Sequence, residues 1–352
     1  MRRLFGKEGR QQMTKLTVVD VTLRDGNHSI RQQFTPEIVA KVAAALDAAG
    51  VEIIEVGHGD GVGGSSIHVG RTPVPYQQLI SAVVSSVKRA KVAIMLLPGF
   101  GTMDDLQQAY DLGVTVARVA CHCTEADITE QHIQLARKLG MFTVGYLISF
   151  GMASPQRIVE ESKRMESYGA QYVNLAESQG YLVPSQVREY VYALRESVNI
   201  PVGFHGHNNL GLAIGNSLAA VEAGAAYVDG SLKGLGGGAG NTQTETLIAA
   251  LKRGAFPTEV DLFGILDAAA VLTDELKKHP DLAKIPMPAV DNDAIMMGYA
   301  CVYGGYILPI KRAAMKYGCD PRQLVIRLGE RKVVATQEDV VIEEARRLAG
   351  IT

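Results

Sequence analysis

Apolar runs recur along this chain at near-regular spacing, and an amphipathic helical stretch follows each of them. The runs begin near Leu16 (LTVVDVTL), Val51 (VEIIEVG), Lys91 (KVAIMLLPG) and Val114 (VTVARVA), then near Met141 (MFTVGYLI), Gln171 (QYVNLAE), Ile200 (IPVGFHGH) and Ala226 (AYVDGSL). Several are apolar at consecutive positions, the pattern of parallel strands covered on both faces. Thr35-Pro36-Glu37, Ser154-Pro155 and Val183-Pro184-Ser185 read as helix starts, because proline suits the first helical position. Gly50, Gly113, Gly140, Gly169 and Gly224 each follow a helical stretch, where a left-handed cap favours glycine. Eight such units in roughly 240 residues predict an α/β chain closed into a (β/α)8 TIM barrel over residues 16–258. A doubly wound open sheet is the alternative. From Glu259 the alternation stops, and residues 259–352 read as a helical C-terminal domain, broken at Pro280 to Pro288 and packed on the barrel. Residues 1–15 read as a polar N-terminal extension.

Composition narrows the classes of function. The chain has 352 residues, 47% hydrophobic and 20% charged, with 35 basic against 37 acidic side chains and a net charge of −2. That balance argues against a basic nucleic-acid binder and against an acidic disordered tail. Four cysteines without tryptophan exclude a small disulfide scaffold and point to a reducing compartment. The opening MRRLFGKEGRQQM has no apolar run behind it, and no stretch approaches the roughly 20 apolar residues of a membrane span. A cytoplasmic protein is the expectation.

The active site of such a barrel lies at the C-terminal ends of its strands. Strand 1 ends in Thr22-Leu23-Arg24-Asp25-Gly26-Asn27-His28, and strand 7 in His205-Gly206-His207-Asn208-Asn209. His205 and His207 lie two apart, so on a strand both face the same way. With Asp25 they make a set suited to Mn²⁺, Fe²⁺ or Zn²⁺ with open positions for substrate. The blander reading of an HxH pair is hydrogen bonding inside a core; the barrel-end position and Asp25 count against it. Arg24 reads either as an ion pair for Asp25 or as a group that holds a carboxylate or enolate oxygen. His28 reads as a loop histidine or as a general base. Cys121-His122-Cys123 lacks a second cysteine pair, and alternation sets both cysteines opposite His122, which argues against a closed zinc site. Gly234 to Asn241 (GLGGGAGN) follows strand 8, where barrels bind phosphate; glycines allowing close backbone approach are the equal alternative. Glu177-Ser178 reads as a capping pair or a substrate contact, and Lys233 as a surface charge.

TLRDGNH, HGHNNLGLAIGNS and GLGGGAGN together resemble the DRE-TIM metallolyases. IEVGHGDGVGGSS, MLLPGFGTMDDLQQAYDLG, RVACHCTEADITEQHI, MESYGA, GYACVYGGY and TQEDVV narrow the likeness to the 4-hydroxy-2-oxovalerate aldolase family, over roughly residues 16 to 345. The Claisen-type synthases show RDGEQ or REGEQ where the aldolases show RDGxH; this chain has RDGNH. The resemblance implies a divalent metal, Mn²⁺ ahead of Mg²⁺, Co²⁺ or Zn²⁺, on Asp25, His205 and His207, with Asn241 close by. It implies Arg24 as stabiliser of a pyruvate enolate, His28 as base, and Tyr303 as the tyrosine that orients that base. It places Ser178 in the substrate pocket and Met95 and Leu97 around the aldehyde chain. It also implies small-molecule substrates (a 2-oxo acid and an aldehyde), a homo- or hetero-oligomer, and an acylating acetaldehyde dehydrogenase that docks on the C-terminal helices.

The departures surround the pocket. The aldolases read ADSGG where this chain has Ala176-Glu177-Ser178-Gln179-Gly180, HAHHN where it has HGHNN, and IRHQ where it has Ile30-Arg31-Gln32-Gln33. The segment after Ser66 is shorter, and Met95 replaces leucine, a volume-conserving change. Two other classes compete with the aldolase. One is a Claisen-type acyltransferase condensing acetyl-CoA with a 2-oxo acid, for which HGHNN resembles HxHND. The other is a non-catalytic scaffold, which has no need of Arg24, Asp25, His28, His205 and His207 together.

Overall fold

The computed structural model describes residues 16–67, 69–334 and 337–351, so the expected N-terminal extension, 1–15, lies outside the described residues. Eight parallel strands close on themselves in chain order: β1 Thr17–Leu23, β2 Ile53–Val56, β3 Lys91–Leu96, β4 Val116–His122, β5 Phe142–Ile148, β6 Tyr172–Glu177, β7 Val202–Gly206 and β8 Tyr227–Gly230. β8 pairs back onto β1, so the sheet has no edge and the open-sheet alternative is excluded. A helix follows each strand: α1 Pro36–Ala48, α2 Tyr76–Ser86, α3 Met103–Asp111, α4 Glu130–Lys138, α5 Pro155–Tyr168, α6 Pro184–Arg195, α7 Ala213–Glu222 and α8 Thr244–Arg253. The fold is the (β/α)8 barrel that the pattern predicts.

Local chemistry explains the helix boundaries. The Thr35 hydroxyl accepts from the Ile38 N–H, and the Ser154 hydroxyl from Arg157, each satisfying an otherwise orphan donor. Val183 has no side chain that can cap, and the Gln186 carboxamide instead accepts the Val183 N–H at 3.1 Å. Gly50, Gly113, Gly140, Gly169 and Gly224 all have positive φ, between +81° and +111°.

Side chains at every second strand position fill the barrel. Val19, Val21, Ile53, Ala93, Val116, Val144 and Tyr172 form a lower apolar layer, in which the Tyr172 and Tyr227 rings stack at 3.9 Å. Met95, Ala120, Tyr146 and Ala176 form an upper one. On β4, Arg118 stands between Val116 of the lower layer and Ala120 of the upper, fully buried. Its guanidinium pairs with Asp229 at 2.5 Å and Glu55 at 3.1 Å and lies over the Tyr146 ring at 4.6 Å.

Beyond the barrel come α9 Leu262–Lys278, α10 Asn292–Tyr299, α11 Ile307–Tyr317, α12 Pro321–Glu330 and α13 Glu338–Leu348. Ile265, Ala268 and Leu272 of α9 share the apolar cluster of α1 and α8, so α9 closes the barrel's outer shell. The proline-bearing stretch falls between α9 and α10, and Met297, Ile310, Leu324, Leu328 and Val341 then form a separate core. Among the described residues no helix is long and apolar enough to cross a membrane.

The buried ion pairs make a stability test. Arg118→Met keeps the bulk but leaves Asp229 and Glu55 without their shared counter-charge in the dry interior, and should cost about 3–5 kcal/mol. Chemical denaturation of the variant against the parent measures it.

Candidate active site

β1 runs directly into a 3-10 turn, Asp25–His28, so Arg24, Asp25 and His28 all rise from the C-terminal end of one strand. His205 and His207 come from β7 and its end, on the same face. Arg24, Asp25, His205 and His207 are all buried. The ligand atoms of Asp25, His205 and His207 lie within 4.8 Å of one another. Asp25 Oδ2 is 3.6 Å from His205 Nε2 and 3.9 Å from His207 Nε2.

Hydrogen bonding fixes what those atoms present. His207 Nδ1 faces the Gly237 carbonyl at 3.3 Å, which only accepts, so Nδ1 carries the proton. His205 Nδ1 faces the Asp229 carboxylate at 3.0 Å and is held the same way. Both Nε2 lone pairs therefore converge on a carboxylate oxygen. Three acceptors directed at one point repel each other unless a cation lies among them, and the outer hydrogen bonds are those that orient metal-binding histidines. Burial pushes the Asp25 pKa up, but the Arg24 guanidinium beside it outweighs that and holds the carboxyl well below the usual range. Burial pulls His207 down to about 4, keeping it neutral. Asp25 Oδ1 is buried with no hydrogen-bond partner. This donor set fits a divalent ion.

Arg24 is clamped on three sides. Its Nε donates to Glu55 at 2.7 Å, and its Nη1 to Asp25 Oδ2 at 2.8 Å and to the Gly59 carbonyl at 3.1 Å. Nη2 is buried and has no partner, a pre-aimed N–H donor beside the cluster. The ion-pair reading of Arg24 is what the structure shows, and the group also keeps one N–H donor without a partner.

His28 stands at the end of the same turn, with Nδ1 3.2 Å from the Gln32 carboxamide. Tyr303 enters from the C-terminal helices, edge-on to His207 with ring centroids 6.4 Å apart. A Cβ built on Gly237 would come within 3.0 Å of the Tyr303 hydroxyl oxygen, so this loop glycine gives the tyrosine room. Asn241 is bridged to His207 through the backbone; its Nδ2 donates to Leu235 and its Oδ1 is buried without a partner. The glycines before it are required by that packing, since a Cβ at Gly236 would lie 2.5 Å from the Asn241 carboxamide. Met95 and Leu97 line the upper apolar layer together with Ile148. Ser178 sits at the end of β6, where its hydroxyl accepts the Ser149 N–H at 3.1 Å.

Other sequence candidates stay outside the cluster. Cys121 and Cys123 are buried, unbridged and in the apolar core on the outer face of β4, and His122 bonds Thr124. Lys233 is exposed and lies 3.8 Å from the carboxylate of the buried Glu245. Sequence reasoning missed Glu55, Arg118 and Asp229, which support Arg24 and His205 from below. The signal was present as charged residues inside the apolar runs VEIIEVG, VARVA and AYVDG.

The fold and this cluster define a barrel enzyme whose strand ends can hold a metal, and residues 15–272 match the HMGL-like family. Residues 288–350 match the DmpG-like communication domain. A 4-hydroxy-2-oxovalerate aldolase of Geobacillus genomosp. 3 is 48% identical over 335 residues, covering 95% of this chain and 97% of its own length. That of Moorella thermoacetica is 46% identical over 332 residues, covering 94% and 96%. The chain belongs to the 4-hydroxy-2-oxovalerate aldolase family and is a carbon–carbon lyase. The carboxyl transferase domain of Rhizobium etli pyruvate carboxylase matches in fold, with a TM-score of 0.78 at 17% identity over 96% of this chain and 61% of its own.

Glu177, next to Ser178, carries a pH signature. Its Oε1 accepts the Tyr181 N–H at 3.2 Å, its Oε2 has no partner, and burial pushes its pKa up to about 8 from an ordinary 4.5. Between those values the native state keeps a proton that the unfolded chain has lost, so stability falls as pH rises through this window. Glu177→Gln should flatten that slope, and melting temperatures measured across the window will show it.

Proposed function

We propose that this enzyme is a divalent-metal-dependent pyruvate aldolase. It reversibly cleaves a 4-hydroxy-2-oxo acid such as 4-hydroxy-2-oxopentanoate to pyruvate and an aldehyde. The observation that carries the reading is the convergence of three unprotonated ligand atoms beside the unpartnered Nη2 of Arg24. The names of relatives covering about 95% of the chain support it.

Asp25, His205 and His207 would hold the ion, Mn²⁺ first among Mg²⁺, Co²⁺ and Zn²⁺, with Asn241 near it. When bound, the ion supplies an electron sink that polarises the 2-oxo group. Arg24 directs Nη2 at the substrate oxygen where negative charge develops, and its other donors are fixed in advance, so little reorganisation is needed. His28 takes the proton of the C4 hydroxyl. The C3–C4 bond then breaks, its electron pair passes into the pyruvate enolate, and the aldehyde leaves. Protonation at C3 gives pyruvate; aldol addition is the reverse. Tyr303, edge-on to His207, would orient His28; Met95 and Leu97 would enclose the aldehyde chain, and Ser178 would border the pocket. The acetyl-CoA-dependent reading is not favoured, because His28 stands where that branch has glutamine.

The match of residues 288–350 to a communication domain supports an acylating acetaldehyde dehydrogenase as partner on α10–α13, with residues 259–352 as the domain that carries the contact.

The decisive experiment follows the methyl protons of pyruvate in D₂O by NMR. Mn²⁺-dependent exchange that chelation abolishes is expected, with exchange lost and cleavage reduced about 10²–10⁴-fold in His28→Ala. Unlabelled pyruvate in a protein that retains its ion would overturn the assignment. For the partner, co-expression with an acylating acetaldehyde dehydrogenase should give one complex on size exclusion; independent elution argues against it.

A further inference from the structure

Gln32 occupies a position that a passive core residue has no need of. It is 2% exposed and lies in the left-handed region at φ +65°, next to Arg31 at +57°, two consecutive non-glycine residues in a costly conformation. The backbone is held there by Gln32 N–H donating to the Asn27 carbonyl at 2.8 Å. The result folds the carboxamide back between His28 and the loop after β2.

Its orientation is not arbitrary. The Gly59 N–H can only donate, so the Gln32 atom 2.8 Å from it is the carbonyl oxygen. The other end is then the NH₂ group, and it faces His28 Nδ1 at 3.2 Å. A nitrogen that receives a hydrogen bond carries no proton, so the neutral imidazole has its proton on Nε2. The Gly59 Cα lies against the far side of the same ring, where a Cβ would come within 2.5 Å of Nε2 and Cε1. The ring is thus fixed in both position and tautomer.

We propose that Gln32 is a positioning residue that sets which nitrogen of His28 carries the proton. Nδ1 is taken by Gln32, which leaves Nε2 for substrate. With the amide as found, Nε2–H donates a hydrogen bond to the C4 oxygen and cannot accept its proton. Reversing the amide sets the carbonyl oxygen against Nδ1, the ring proton moves to Nδ1, and Nε2 becomes the acceptor that cleavage requires. The reversal breaks the Gly59 bond, so proton acceptance by His28 is tied to the loop after β2. The inference rests on His28 as the proton-transfer group of the aldolase reading.

The experiment labels the eight histidines with ¹⁵N and reads ring-nitrogen shifts, with His28 assigned by its loss in His28→Asn. The wild-type ring should be the Nε2–H tautomer. Gln32→Glu offers only acceptors, to the Gly59 N–H and to Nδ1–H together, and should invert the tautomer. In Gln32→Leu, which removes one hydrogen-bond partner, kcat for cleavage should fall about five- to tenfold with KM within twofold of wild type. Gln32→Glu should restore kcat to wild-type level or above. A wild-type His28 found as Nδ1–H overturns the proposal, whether or not either variant folds. So does a folded Gln32→Glu whose tautomer is unchanged. If the tautomer inverts while cleavage and pyruvate exchange stay at wild-type rates in both variants, the control by Gln32 stands and the role of His28 falls.

Discussion

A continuous run of buried charge underlies this site. Asp229 joins His205 to Arg118, Arg118 reaches Glu55, Glu55 holds Arg24, and Arg24 closes on Asp25. Two guanidinium groups face three carboxylates, which leaves one negative charge in excess inside a protein interior. Such an excess is costly unless a cation joins it. The imidazoles cannot supply the charge, because their inner nitrogens present lone pairs. The same run explains why a barrel filled by apolar layers admits an arginine between them: removing it would unseat the supports of both β7 and β1.

Barrel geometry turns that run into a site. Alternation on β7 sends His205 and His207 inward, while the turn after β1 brings Asp25 across to them. Parallel register then sets Met95, Ala120, Tyr146 and Ala176 as an apolar shoulder above the charges. Polar and apolar surfaces therefore meet at the mouth, with the Tyr146 ring against both Arg118 and His205. That meeting of surfaces would suit the 4-hydroxy-2-oxo acid proposed as substrate, with its polar head and alkyl end. The C-terminal helices contribute Tyr303 to the polar side, so their docking and the shape of the mouth are linked.

Much of this was legible in the sequence, for reasons that also show where reading stops. Strand and helix alternation is set by local periodicity, so the closed barrel and its helix starts at Thr35 and Ser154 emerge from short windows. The HxH spacing and RDGNH likewise declare a shared face and a strand end. Arg118, Glu55 and Asp229 do not declare themselves: each looks like an interruption of an apolar run, and only closure brings three strands' interruptions together. The GLGGGAGN loop was open to a phosphate reading because glycines say that something comes close, not what. Among the close neighbours are Asn241, Tyr303, Asn209 and Pro288. Gln32 was visible only as a departure from IRHQ, since its meaning depends on a contact with Gly59 across 27 residues.

Gly59 shows how few atoms join Arg24 to His28. Its carbonyl accepts from Arg24 Nη1, its N–H donates to Gln32, and its Cα carries the His28 ring. A side chain there would collide with the imidazole, which is a sufficient reason for glycine without invoking flexibility. The N–H and the carbonyl belong to the two peptide planes that flank the Gly59 Cα, so the bonds to Gln32 and to Arg24 are linked through the φ and ψ of this one residue. In the proposed reaction Arg24 and His28 would act on either side of the bond that breaks, one on the enolate oxygen and one on the C4 oxygen. Contact of both with one buried glycine ties their separation to the backbone after β2 as well as to their own rotamers.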